Sequence, residues 1–302
     1  MNHPVKAVSL GFLIIGLFLS PAWPVASGPN WDSTQQQQAP PPLTVQLIKG
    51  GIYMVKGGSG ANTGFFIGEK QVVAIDAKMS EESTRQIMAE ITKLTPNPVK
   101  TILITHSDGD HVNGLTGFPG GLEIVSHEET ERYMDEAFKD EKLRAYLPNK
   151  VFTDKWSLTI GRKKVEMLHF GPAHTSGDAV VFFPEGKVVF VGDLLFMGRD
   201  PLIHKPKNGT SIGLVKNLKA ILALDADTFI PGHGEIANRA DVEAGIKYVE
   251  DMQAKVKAMV AEGKSLDEIK KALGVQEVPG AASSRRFLSL AEVIYLDLTE
   301  KK

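Results

Sequence analysis

Six consecutive residues, His106-Ser107-Asp108-Gly109-Asp110-His111, place two imidazoles and two carboxylates in one short turn. Such groups converge on a single point only from a loop, and Gly109 permits the tight backbone path. A solvated acidic turn accounts for one histidine and one aspartate, but not for four potential ligands in six positions. Further candidates recur downstream: His174 in Gly171-Pro172-Ala173-His174-Thr175-Ser176-Gly177-Asp178, Asp193 in Val191-Gly192-Asp193, and His233 in Pro231-Gly232-His233-Gly234. Taken singly, His174 reads equally well as a capped core histidine, and Asp193 as a helix or turn cap. His233 between two glycines points to close approach of the backbone to another group. The chain has no cysteine, so disulfides, thiol nucleophiles and thiolate ligands are excluded. Any metal here is held through nitrogen and oxygen.

These residues need a scaffold that delivers each of them to one edge. Short β-branched runs open the folded part at residues 43–48, 52–56, 63–67 and 72–75, each bounded by glycine or charge, which reads as antiparallel strands. Ser80 precedes Glu81 and Glu82, and Ile87, Ile91 and Leu94 then mark one helical face that Pro96 and Pro98 end. Val99 to Thr105 is a continuous apolar strand, covered on both faces, that runs into His106. A helix over about 128–146, a β stretch from 151 to 196, a helix over about 211–224 and a strand at 228–230 follow. This order predicts two sheets packed face to face with helices outside them, an α+β chain folded as a four-layer αβ/βα sandwich. The ligand candidates then fall on loops leaving the strands, at one edge of the sandwich.

At the N-terminus, Lys6, the apolar run from Ala7 to Leu19 and the small residues Val25-Ala26-Ser27-Gly28 read as a secretory signal peptide over 1–27. The run is shorter than the roughly 20 residues that cross a bilayer, so no membrane attachment is expected after cleavage. A periplasmic or secreted location follows. Residues 28–42, with Gln35 to Gln38 and several prolines, read as a disordered linker. A catalytic domain is expected over 43–237 and a helical C-terminal extension over 238–302. In that extension Tyr248, Met252 and Met259 form a core stripe, and a last helix spans about 285–298. Ser284, Arg285 and Tyr295 are read as packing residues. With a formal charge of −2 the chain offers no basic surface for nucleic acid, which leaves a small molecule as the expected partner. Its oligomeric state is not legible.

The four ligand blocks in this order, with Phe65-Phe66-Ile67-Gly68 and Val73-Ala74-Ile75-Asp76 leading in, resemble the metallo-β-lactamase superfamily over about residues 43–237. The resemblance implies a metal-dependent hydrolase of that fold with two divalent ions, usually zinc. One ion would take His106, position 108 and His174. The other would take Asp110, His111 and His233, with Asp193 bridging the pair as in glyoxalase II-like members. One departure stands out: the family's second histidine of the first block is Asp108 here. A carboxylate oxygen reaches nearly the point that the family's Nδ1 occupies, so Asp108 is kept as a ligand. The extra negative charge weakens the first ion as a Lewis acid and brings iron or manganese within range of the donor set.

The implied reaction is attack on an ester, thioester, lactone or β-lactam carbonyl by a hydroxide shared between the ions. Asp110 would orient that nucleophile and return its proton to the leaving atom. Competing readings are a β-lactamase proper, a carboxylate-rich di-iron redox member, and a non-catalytic metal-binding protein of the same fold. Outside the blocks, His204 reads as part of a surface loop rather than of a substrate groove, and His127 and His169 as structural.

Overall fold

The computed structural model describes residues 41–275 and 287–300. The expected signal peptide, nearly all of the linker, and Ser284 and Arg285 lie outside the described residues. The chain opens with β1 (Thr44–Lys49), β2 (Ile52–Lys56), β3 (Thr63–Ile67) and β4 (Val72–Ile75), then α1 (Glu81–Leu94), β5 (Val99–Leu103), and α2 (Gly109–Val112), a single turn. Next come β6 (Glu123–His127), α3 (Glu128–Ala137), α4 (Glu141–Arg144), β7 (Lys150–Phe152), β8 (Lys155–Ile160), β9 (Lys163–Leu168), β10 (Val180–Phe183) and β11 (Val188–Phe196). The chain closes with α5 (Ser211–Ala223), β12 (Thr228–His233), α6 (Arg239–Ala261), α7 (Leu266–Ala272) and α8 (Leu290–Thr299).

Seven strands form one sheet in the order β1-β2-β3-β4-β5-β6-β7, and five form a second in the order β12-β11-β10-β9-β8. Side chains alternate along each strand, and here both faces are apolar. Val73 and Ile75 of β4 meet Val181, Phe183, Val188 and Phe190 in the layer between the sheets. Their neighbours Val72 and Ala74 face outward onto Ile87 and Ile91 of α1. In the second sheet Val180, Phe182, Val189 and Val191 pack outward against Leu214, Leu218 and Ile221 of α5 and Val242, Ile246 and Val249 of α6. Three apolar layers between four layers of elements make the αβ/βα sandwich anticipated above.

Two helix boundaries and one side chain differ from expectation. The helix over 128–146 breaks after Ala137, because Phe138 turns into the core beside Met134 and the Asp140 side chain caps a new turn at Lys142. The last helix begins at Leu290 rather than Arg285, where Ser289 and Glu292 form a reciprocal capping box. Tyr248 leaves the stripe assigned to it: it is 37% exposed and donates its hydroxyl to Asp200 Oδ1, while Met252 and Met259 do pack on the core. His127 caps α3 by accepting from the Glu129 amide and stacks on His169 at 3.9 Å, away from the ligand cluster. Tyr295 packs partly buried on the core beside the second sheet.

Among the described residues, a lysine is wholly enclosed. Lys78 is 0% exposed, and its ammonium donates to the carbonyls of Val55 and Ala61, pinning the strand ends beneath the ligand loop. Burial pulls it down to about 8 from its ordinary 10.5, against the opposing pull of Asp110. Between these two values the unfolded chain holds a proton that the folded chain releases, so stability rises with pH across that window. Wild-type protein is therefore expected to gain stability relative to Lys78→Met between about pH 8 and about pH 10. Urea midpoints of the two proteins measure this, and a difference that stays constant with pH refutes it.

Candidate metal centre

The candidate ligands gather at one edge of the sandwich, but Asp193, expected on a loop leaving its strand, lies inside the strand instead. β5 runs out through Thr105 into His106, and the chain turns at once into α2. Asp108 holds the N-cap position of that turn, yet its side chain makes no capping hydrogen bond and points to the cluster instead. His174 lies on the loop between β9 and β10, Asp193 lies within β11, and His233 is the last residue of β12. β11 and β12 pair in parallel with register shifts at Gly192, so their ends deliver Asp193 and His233 to the same edge. Asn62 fastens the His233 loop by donating to the carbonyls of Pro231 and Gly234. Gly232 admits no side chain: a Cβ there would lie 2.1 Å from Asp193 Oδ1.

The seven residues assigned to metals in the sequence come together in two groups. Ligand atoms of His106, Asp108, His174 and Asp193 all lie within 4.8 Å of one another, as do those of Asp110, His111 and His233. In the first group His174 Nε2 is 3.1 Å from Asp108 Oδ2, and His106 Nε2 is 3.9 Å from that oxygen. In the second, His233 Nε2 is 3.0 Å from Asp110 Oδ2. Asp193 faces both groups: Oδ2 lies 3.8 Å from His106 Nε2, 3.9 Å from His174 Nε2 and 3.4 Å from His233 Nε2, and Oδ1 lies 3.2 Å from His111 Nε2. Donors that share a tetrahedral cation at roughly 2 Å are themselves about 3.3 Å apart, so these spacings match a metal position.

Polar satisfaction makes the same point. His106 Nε2, His111 Nε2 and Asp193 Oδ1 are buried and have no hydrogen-bond partner. Buried polar atoms left this way are costly and call for an occupant. The opposite nitrogen of each enclosed ring is tied down: His106 Nδ1 is 3.1 Å from Thr105 Oγ1, His111 Nδ1 is 2.8 Å from Asp76 Oδ2, and His174 Nδ1 donates to the Leu202 carbonyl at 2.7 Å. Fixing one ring nitrogen aims the other inward, which is how metal-binding imidazoles are held. The donor set of four imidazoles and three carboxylates suits divalent cations.

Electrostatics agree with that use. Burial and the neighbouring His111 ring push His106 well below its ordinary value, leaving it neutral with a lone pair available. Burial opposes charge on Asp193 as well, but His111, His233 and His106 outweigh it and hold the carboxylate well below its usual range. His111 goes the other way: burial would lower it, yet Asp193 and Asp76 raise it well above 6.5.

Sequence reasoning passed over three contributors. Among the described residues, Asp76 is one of three non-glycine residues with positive φ, at 56°, and from that conformation its carboxylate accepts from Thr105 N and Thr105 Oγ1 while meeting His111. Strain of about 1–3 kcal/mol at such a residue persists only where the surroundings enforce it. Lys207 donates from Nζ to Asp108 Oδ1 at 2.7 Å and to Ser107 Oγ at 2.9 Å. His204, expected on a surface loop, is instead largely covered, with Nε2 2.8 Å from Asp108 Oδ2. A backbone bond from His204 N to the His174 carbonyl draws that loop inward.

Comparison with known proteins bears on this arrangement. The profile of the metallo-beta-lactamase superfamily matches residues 57–233, more than half of the chain. The chain is 27% identical over 211 residues to the 2,4-dinitroanisole O-demethylase subunit alpha of Nocardioides sp. (strain JS1661), covering 68% of this chain and 61% of that subunit. It is 30% identical over 178 residues to the hydroxyacylglutathione hydrolase GloC of Haemophilus influenzae, covering 55% of this chain and 81% of that enzyme. Its fold is similar to that of a metallo-beta-lactamase from Pontibacter korlensis, with a TM-score of 0.59 at 19% identity over 69% of this chain and 99% of that one. The chain thus spans about three fifths of the demethylase subunit. The matched segment carries all seven clustered candidate ligands, and the chain belongs to the metallo-beta-lactamase superfamily.

Proposed function

We propose that this chain is an exported hydrolase that uses two divalent cations, zinc in the first instance, to cleave an ester, thioester, lactone or β-lactam carbonyl of a small molecule. The observation that carries the reading is Asp193, buried between the two groups of donors with Oδ2 facing His106, His174 and His233 and Oδ1 facing His111, while Oδ1 itself and the Nε2 atoms of His106 and His111 lack any hydrogen-bond partner. Bound cations would supply Lewis-acid polarisation of a carbonyl and a lowered pKa for water.

The chain's own residues set the direction of approach. The side chains of His106, His111 and His174 are at most 1% exposed, whereas those of Asp110 and His233 are 23% and 29% exposed. Substrate therefore enters over Asp110 and His233. Burial opposes the charge on Asp110, but the bond from His233 and the nearby His111 hold its carboxylate below the ordinary range, so it is ionised near neutrality. An ionised carboxylate at the mouth can accept a hydrogen bond from the attacking water, orient it, and pass the proton to the leaving atom. Lys207 bears on the choice between hydrolysis and redox chemistry. Its ammonium on Asp108 Oδ1 offsets the charge that Asp108 adds, returning the formal count to that of a three-imidazole position, which favours Lewis-acid work.

Two outcomes are expected. Titrating stripped protein with zinc in buffers of different ionisation enthalpy should show about two equivalents bound, with proton release as His111 gives up its proton, and a raised melting temperature. Absence of binding, or binding without proton release, refutes this. Against a panel of chromogenic esters, thioesters, lactones and β-lactams, Asp110→Asn should lower kcat/KM by about 10²- to 10⁴-fold. The demethylase relative recommends adding an aryl methyl ether to that panel. Activity of the variant within threefold of wild type would remove Asp110 from its role.

A further inference from the structure

Position 108 changes the first metal group from three imidazoles to two imidazoles and a carboxylate, and the segment after β11 answers that change. We propose that His204 supplies the third imidazole to the first metal, with Lys207 steering Asp108 so that Oδ2 remains available to the same cation. The inference rests on the metal-centre reading above.

His204 Nε2 is buried and has no hydrogen-bond partner, the condition it shares with His106 Nε2 and His111 Nε2. It lies 2.8 Å from Asp108 Oδ2, but not in line for a hydrogen bond to it. That oxygen is also the one His174 approaches at 3.1 Å. The rings of His204 and His174 meet edge to face with centroids 4.8 Å apart. Asp108 Oδ1 is taken by Lys207, which leaves Oδ2 for a cation. His204 is not among the four groups whose ligand atoms all fall within 4.8 Å of one another, so a cation that recruits it sits toward Asp108 Oδ2.

The placement is built in rather than incidental. Backbone bonds run from His204 N to the His174 carbonyl, from Ser176 N to the Lys207 carbonyl, and from Thr210 N to the Ala173 carbonyl. The His174 ring donates to the Leu202 carbonyl in the same segment. A loop laced to the His174 turn at four points holds its side chains in register with the centre, as a metal-binding residue requires. Asn208, at φ 56°, and Gly209, whose added Cβ would lie 2.3 Å from the His174 carbonyl, fix the turn that follows.

The test uses cobalt(II), whose visible spectrum reports its ligands, titrated into stripped full-length protein with calorimetry alongside. His204→Ala and His204→Gln should weaken one of the two equivalents by at least about 10- to 100-fold and change its spectrum, leaving the other equivalent as in wild type. Circular dichroism confirms that each variant is folded. Asp108→His combined with His204→Ala should recover the lost equivalent, because an imidazole is restored from the other side. Two equivalents and a spectrum unchanged in folded His204→Ala protein overturn the assignment, as does a folded double variant that stays deficient. Wild-type protein that binds no cobalt overturns the metal-centre reading itself, so the two failures are distinguishable.

Discussion

A buried carboxylate surrounded by imidazoles is the constraint from which the rest of this molecule follows. Asp193 lies inside β11, where an isolated negative charge is far more costly than in water. Only nearby positive charge makes that burial tolerable, from protons or from metal ions. Every other element of the edge positions a group around this one: β5 and α2 bring four, the β9–β10 loop brings one, and β12 brings the last.

Such an arrangement demands rigid support, and the strands give it. In the parallel pairing of β4 with β5, Ile75 stands beside Leu103. The next residue, Asp76, then reaches both Thr105 and His111. The left-handed conformation of Asp76 is a local cost that a well-formed sheet can carry and a free loop cannot. Gly192, with φ 53° and Thr105 Oγ1 2.9 Å from where a Cβ would stand, solves the matching problem on the second sheet. Both sheets converge on Thr105, so the centre is as much a product of the inter-sheet packing as of its own loops.

Much of this was legible in the sequence, for reasons particular to each part. Period-two and period-3.6 patterns are local, and β2 to β5, α1 and α5 were visible in them. The block from 106 to 111 was visible because its ligands are adjacent in the chain. Lys207 carries no mark in the sequence, and neither the lead-in block ending at Asp76 nor the segment around His204 shows which group its side chain meets. Their importance arises from strand register and from a loop folding back on the His174 turn, both long-range effects. The split between α3 and α4 was hidden for the opposite reason: helix formers continue through it, and burial of Phe138 decides against them.

The unequal enclosure of the two donor groups has a kinetic consequence. His106 and His174 are sealed from solvent, while Asp110 and His233 open to it. A cation held by the enclosed donors would leave only after a loop detaches, whereas one held at the open rim could be traded stepwise for water. The same asymmetry would make occupancy of the rim, rather than of the enclosed position, the quantity that answers to the ion supply of the surroundings.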